Sequence, residues 1–190
     1  STSRRQRQMC IRDSCYHMPE VLLNTGNCFS VRLRAPLTGS LDISSYYMSN
    51  FICDYCKSLL ERGIEGGYNF LSGLMGTETC SEMNRALEHF ELLQLVDNEQ
   101  FFVTFLDMPF KVTENTVRHY VDQLRRKVLT PLQEVYGVDV SDDALRKAVA
   151  EHNEVCRILT EIGQFRKEEN PRITGYEYHI LNLSLIHISE

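Results

Sequence analysis

Three strand-length apolar runs, separated by two stretches of helical spacing, constrain this chain more than any other feature. The runs are FSVRLR (29–34), which alternates with period two, NFLSGLMG (69–76) and FFVTFLD (101–107). Between them lie SNFICDYCKSLLERGI (49–64) and SEMNRALEHFELLQLV (81–96), whose apolar residues recur as on one face of a helix. Strand, helix, strand, helix, strand at this spacing predicts βαβ units. The expected fold class is therefore α/β, with a parallel Rossmann- or flavodoxin-like sheet. Upstream, PEVLLNTG (19–26) reads as a short helix, with Pro19 in its first turn and Gly26 closing it.

The second half is patterned differently. Residues 113–137 form one amphipathic stretch with Thr113 as a cap and Gly137 at the end. Residues 140–171 form another, with Ser141 as cap, Asp142 and Asp143 in the first turn and Pro171 after the end. Two long helices in succession make an αα-hairpin, packed on the sheet or leading away from it. The expected organisation is an α/β domain over 15–112 and a helical segment over 113–182.

The two ends read as non-native. Met9–Asp13 is what the transposase-end sequence of a sequencing library encodes from its ATG. Leu183–Ile188 is what the reverse complement of that same element encodes. Residues 1–14 and 183–190 are accordingly expected to be adapter-derived, the rest being a fragment open at both ends. The run RRQRQMCIRDS also shows no helical or strand period. Arg4, Arg5, Arg7 and Arg12 against Asp13 and Glu190 make the two ends net +2. The remainder thus carries −8 of a total of −6. A basic targeting or nucleic-acid arm is therefore not inferred, and Cys10 and His187 drop out as site candidates.

An acidic balance argues against nucleic acid as a partner. An apolar share of 43% suffices for a core, and no run approaches the roughly 18 apolar residues of a membrane span. Outside the adapter segments stand Cys15, Cys28, Cys53, Cys56, Cys80 and Cys156. A chain of this size needs no disulfide scaffold, so reduced thiols or metal ligands in the cytoplasm are expected.

The cysteines differ in what they can do. If Ser49 caps the helix after the first strand, Cys53 falls in or near its first turn. Cys80, in GTETCSEMN, directly follows the second strand and opens the next helix. Both thiols would then lie beyond the carboxyl ends of neighbouring parallel strands, where open α/β sheets hold their ligands. A helix N-terminus also favours the thiolate, the form that binds metal. Cys56 lies a turn deeper and is read as a core thiol, Cys156 as structural, and Cys15 and Cys28 as uninformative. Asp54 and Tyr55 between the thiols weaken a thioredoxin-type reading. Zinc would need four ligands, and no second Cys-x-x-Cys or His-x-x-x-His accompanies this one. An iron–sulfur cluster with one open iron position would need three thiolates, of which only two are evident. His17, His89, His119 and His152 are read as surface or helix-face residues. Neither a G-x-x-x-x-G-K phosphate loop nor a Ser/His/Asp signature is found.

PEVLLNTG, SNFICDYCKSLLE, YNFLSGLMGTETCSEM, FLDMP and VDVSDDALRKAVAEHNEVCRILTEI occur in this order along the chain. Together they resemble the 2-hydroxyacyl-CoA dehydratase D-component family (2-hydroxyglutaryl-CoA dehydratase and benzoyl-CoA reductase subunits) over residues 18–182. The resemblance implies a 4Fe-4S cluster held by three cysteines. One comes from a stretch in which Cys is followed by Ser or Thr, Phe or Tyr, any residue, Lys or Arg, and Ser. Cys53 matches it at Tyr55, Lys57 and Ser58, with Asp54 at the Ser or Thr position. A second comes from Thr-Cys followed by Asp or Ser, which Cys80 matches between Thr79 and Ser81. The third comes from a later α/β domain outside this fragment, and Cys56 has no place in the motif. Residues 15–112 would then be the cluster-binding domain.

The activity so implied is removal of water from an (R)-2-hydroxyacyl-CoA through a ketyl radical, started by one electron from an ATP-dependent iron–sulfur activator. The subunit would pair with a homologous one in an anaerobic cytoplasm. A benzoyl-CoA-reductase-type or double-cubane reductase subunit is the alternative within the superfamily. A non-catalytic α/β interaction module with structural thiols is the alternative outside it.

Overall fold

The computed structural model describes residues 8–12, 18–35 and 38–185. Gln8–Arg12 (β1), Cys28–Arg32 (β2), Gly73–Thr77 (β3) and Phe102–Leu106 (β4) form one sheet in the order β2-β1-β3-β4, with every pair parallel. The helices are Glu20–Leu23 (α1), Asp42–Tyr47 (α2), Asp54–Ile64 (α3), Ser81–Leu92 (α4), Glu114–Leu124 (α5), Thr130–Tyr136 (α6), Asp142–Gln164 (α7) and Gly175–Leu185 (α8). The parallel α/β sheet expected from the alternation is thus present, with flavodoxin-like strand order. The chain runs outward from β1 to β2, then crosses back past β1 to β3. That reversal puts a topological switch point between the carboxyl ends of β1 and β3.

Three elements depart from expectation. Gln8–Arg12, which carries no strand period, is nevertheless an inner strand, with Met9 opposite Phe29 and Ile11 opposite both Val31 and Leu74. A ladder is made by backbone N–H and C=O groups, so an extended segment can complete it whatever its side-chain pattern. Helix α2 was not anticipated. It is only six residues long, and its third residue, Ser44, has its N–H bound by the Glu61 carboxylate of α3 rather than by a local cap. The last long helix stops at Gln164, and a separate α8 follows. Cys15, His17 and the parts of 1–14 and 183–190 beyond Gln8–Arg12 and Leu185 lie outside the described residues.

Strand residues alternate between two cores, one on each face of the sheet. Leu74 faces α3 and α4 and packs with Leu59, Leu60, Leu87 and Phe90. Its neighbour Met75 faces the other way, towards Leu23, Leu106, Val128 and Leu132. Strands covered on both sides are typical of parallel sheets, and each fully buried Leu contributes about 1.5–3 kcal/mol. Gly73 lets β3 approach β4 closely, since a Cβ there would stand 2.7 Å from the Phe102 ring.

On the second face lies the expected helix over 113–137. Thr113 caps it through a capping box with Thr116, and Gly137 ends it at φ +63°. Inside it, Arg125–Leu129 forms a π-helical turn. Pro131 explains the turn: it has no N–H to bond back along the helix, and its ring crowds the preceding turn. Two side chains from this helix hold the end of β4. Gln123 accepts the Asp107 N–H (3.1 Å) and donates to the Asp107 carbonyl (3.2 Å), while Lys127 Nζ donates to the Phe105 carbonyl (2.7 Å). Among the described residues, no helix is long and apolar enough to cross a membrane.

Candidate metal centre

Cys53 and Cys80 are the N-cap residues of α3 and α4. The expectation that Ser49 caps the first of these helices is corrected. Ser49 Oγ accepts the Phe51 N–H (3.4 Å) in a local turn, and the helix starts only at Asp54. At an N-cap the first N–H groups of a helix point towards the cap residue and carry the positive end of its dipole. Neither cysteine makes a side-chain cap bond, so both sulfurs are left to other partners in that field.

Several contacts fix α3 beneath Cys53. Tyr55 Oη donates to the Leu33 carbonyl and Tyr68 Oη to the Arg34 carbonyl, each at 2.7 Å, tying the exit of β2 to this layer. The buried Lys57 pairs with Asp54 (2.8 Å) and donates to the Asn50 carbonyl (3.4 Å). Buried Glu61 accepts the Ser44 N–H at 2.7 Å. The exit of β3 is fixed as well: Glu78 N–H donates to the Leu106 carbonyl (2.8 Å), and the Thr77 and Thr79 hydroxyls meet at 3.0 Å. Cys80 follows directly.

Glu82, in the first turn of α4, links the two helix starts. Its Oε2 accepts the Cys53 N–H at 3.0 Å. The ligand atoms of Cys53, Cys56 and Glu82 all lie within 4.8 Å of one another. The sequence reading of Cys56 is therefore half right. Its thiol is 2% exposed and packs in the α3/α4 core, yet it also faces the site. Burial pushes its pKa up to about 12, and the Cys53 and Cys80 thiols and the Glu82 carboxylate act in the same direction. Glu82 was missed. The available signal was an acid two residues beyond Cys80, in a first turn that must stack beside the start of α3.

The other candidates separate. Cys28 is buried on the opposite face, in the core of Met75 and Leu106. Cys156, read as a structural thiol, is exposed, with Sγ 3.5 Å from His152 Nε2, because α7 turns this face to solvent. His89 is a helix-face residue, but on the buried face, where burial lowers its pKa. His119 lines a cleft of about 510 Å³ at the end of β4, together with Asp107, Met108 and Pro109 of the FLDMP stretch.

Cys53, Cys56 and Glu82 form a donor set suited to iron or zinc, and Cys80 stands outside it as the cap of the adjacent helix α4. The 2-hydroxyglutaryl-CoA dehydratase D-component family model matches residues 15–188. The chain belongs to this D-component family. Strand β1 precedes the matched segment. Over 145 residues the chain is 23% identical to the (R)-phenyllactyl-CoA dehydratase beta subunit of Clostridium sporogenes, covering 76% of this chain and 37% of that protein. Over 137 residues it is 20% identical to one of the subunits of benzoyl-CoA reductase from Thauera aromatica, covering 72% and 34%. The chain thus spans about a third of the length of the curated relatives it matches, and both relatives are named as subunits of larger enzymes.

Proposed function

We propose that this D-component chain is part of an iron–sulfur subunit of a 2-hydroxyacyl-CoA dehydratase, in which Cys53 and Cys80 are two of the ligands of a 4Fe-4S cluster. The observation that carries the reading is the matched position of the two thiols. Each is the N-cap of a helix in the same layer, each is free of capping bonds, and each is on the side of the sheet where a doubly wound fold binds ligands. The third ligand would come from a later α/β domain. When bound, the cluster would supply one-electron chemistry to an (R)-2-hydroxyacyl-CoA, giving a ketyl radical after delivery of an electron by an ATP-dependent activator. The residues of this chain serve by holding it. The α3 and α4 N-termini present their first N–H groups beside the two sulfurs, and the Tyr55, Glu61 and Lys57 contacts keep the ligands in register. A homologous partner subunit and a cytoplasmic, anaerobic setting belong to the same proposal.

The likeness to a benzoyl-CoA reductase subunit supports a second reading, a reductase subunit using the same ligands. Anaerobic reconstitution with iron and sulfide tests the shared part. Iron bound per chain should fall in both Cys53→Ala and Cys80→Ala, and unchanged iron in both variants would refute the assignment. Dehydration of 2-hydroxyacyl-CoA by the full-length subunit pair, against reduction of an aromatic acyl-CoA, separates the two readings.

A further inference from the structure

Beyond the cluster reading, we propose that Cys53, Cys56 and Glu82 bind a single thiophilic divalent cation, ferrous iron or zinc, at a mononuclear site that shares Cys53 with the cluster but does not use Cys80. The mutual approach of the three ligand atoms, within 4.8 Å, is the first support. Two sulfurs bound at about 2.3 Å to a tetrahedral ion stand about 3.8 Å apart, so side-chain rotation of about an ångström closes the site. The backbone supplies the second support. Cys53 at the N-cap and Cys56 three residues on share one helical face, and Glu82 is held against them by its bond to the Cys53 N–H at 3.0 Å. That bond uses one carboxylate oxygen and orients the other.

Charge is the third support. Once both thiols are deprotonated, two thiolates and a carboxylate place three negative charges beside an apolar core that includes Leu59, Leu60 and Met83, a state that only a bound cation sustains. Lys57 does not neutralise them, because its ammonium pairs with Asp54. A divalent cation removes most of that charge, and both thiol protons leave as it binds. A water completes four-coordination. The two sites are mutually exclusive through Cys53, so a cation held here would be the first occupant that cluster assembly must displace or incorporate.

Cobalt(II) titration of the 190-residue chain under anaerobic, reducing conditions tests the proposal, read by sulfur-to-cobalt charge-transfer absorption. One cobalt per chain is expected. Cys53→Ala and Cys56→Ala should abolish the band or weaken binding at least about tenfold, Glu82→Gln should weaken it about tenfold, and Cys80→Ala should leave it unchanged. Should Cys56→Ala unfold, as judged by circular dichroism, Glu82→Gln, which keeps the side-chain volume, decides the matter. Wild-type affinity in Glu82→Gln and in a folded Cys56→Ala, or loss of the band in Cys80→Ala, would overturn the proposal. The cluster assignment fails on a different pattern: it depends on Cys53 and Cys80 in iron–sulfur reconstitution and is indifferent to Cys56 and Glu82.

Discussion

Helix α3 is 11 residues long and buries Cys56, Lys57, Leu59, Leu60, Glu61 and Gly63, whereas α7 runs for 23 residues and buries only Ala148 and Gly163. Besides the local Lys57–Asp54 pair, polar contacts of α3 reach other elements: Tyr55 to the exit of β2, Glu61 to α2, and the capping Cys53 to α4. The ion pairs of α7 stay on its own surface, and the contact from another element, Tyr178 Oη of α8 donating to the Leu159 carbonyl (3.2 Å), reaches only its backbone near the end. Asp143 pairs with Arg146, Lys147 with Glu151, and Arg157 with both Glu154 and Glu161. Local pairs of this kind, each worth about 0–1 kcal/mol, hold a segment in helical form without locating it. Long-range buried contacts locate it. A ligand-binding geometry needs the second kind, and the thiols stand on the helix that has it.

The contrast can be broken at several points. The largest expected effect is chemical. With its pKa pushed up to about 12 from 9.0, Cys56 should carry on the order of a thousandfold less thiolate at pH 8–9 than an unperturbed thiol, so iodoacetamide should spare it. Exposed Cys156 serves as the reacting reference in peptide mass spectrometry of the metal-free chain. The sign also fixes a stability trend. A thiol whose pKa is raised on folding contributes stability that is complete below pH 9 and is lost as pH climbs towards 12. Urea midpoints of wild type should therefore fall over that window more than those of Cys56→Ala.

Next comes Glu61→Ala, which strands the buried Ser44 N–H and should cost about 2–3 kcal/mol in denaturant unfolding. Gly73→Ala, forcing a methyl against the Phe102 ring, should cost about 1–3 kcal/mol by the same measurement. On α7 the effects shrink. Removing the Ser141 cap, whose Oγ accepts the Ala144 N–H at 3.4 Å, should cost about 1 kcal/mol. Arg157→Ala should leave the unfolding midpoint within error, although it breaks two ion pairs. A drop as large as that of Glu61→Ala would mean that α7 is anchored after all.

Much of this was legible beforehand because it is local. Thr113 and Ser141 as caps, Gly137 as a stop and Cys80 at a helix start depend on neighbours within one turn. The misses are non-local. Ser49 has the chemistry of a cap, but its oxygen is taken by Phe51, and the helix begins only further on, at Asp54. His89 and Cys156 both sit on amphipathic helices. Which of them is buried depends on whether another element covers that face, and α4 is covered where α7 is open.

By itself the sequence determined the alternation that demands a parallel α/β sheet, the helix boundaries marked by side-chain caps, and the placing of two cysteines at helix starts. Periodicity and capping act over a few residues, so they are written directly in the order of amino acids. Only the tertiary structure decided that Gln8–Arg12 fills an inner strand position, through backbone pairing that carries no side-chain signature. It alone also brought Glu82 to Cys53 and turned Cys56 towards both. Those contacts depend on how α3 lies against α4, which is set by the packing of Leu59, Leu60, Leu87 and Phe90 between them. Side-chain packing of that kind fixes the crossing of two helices, and no spacing within either helix encodes it.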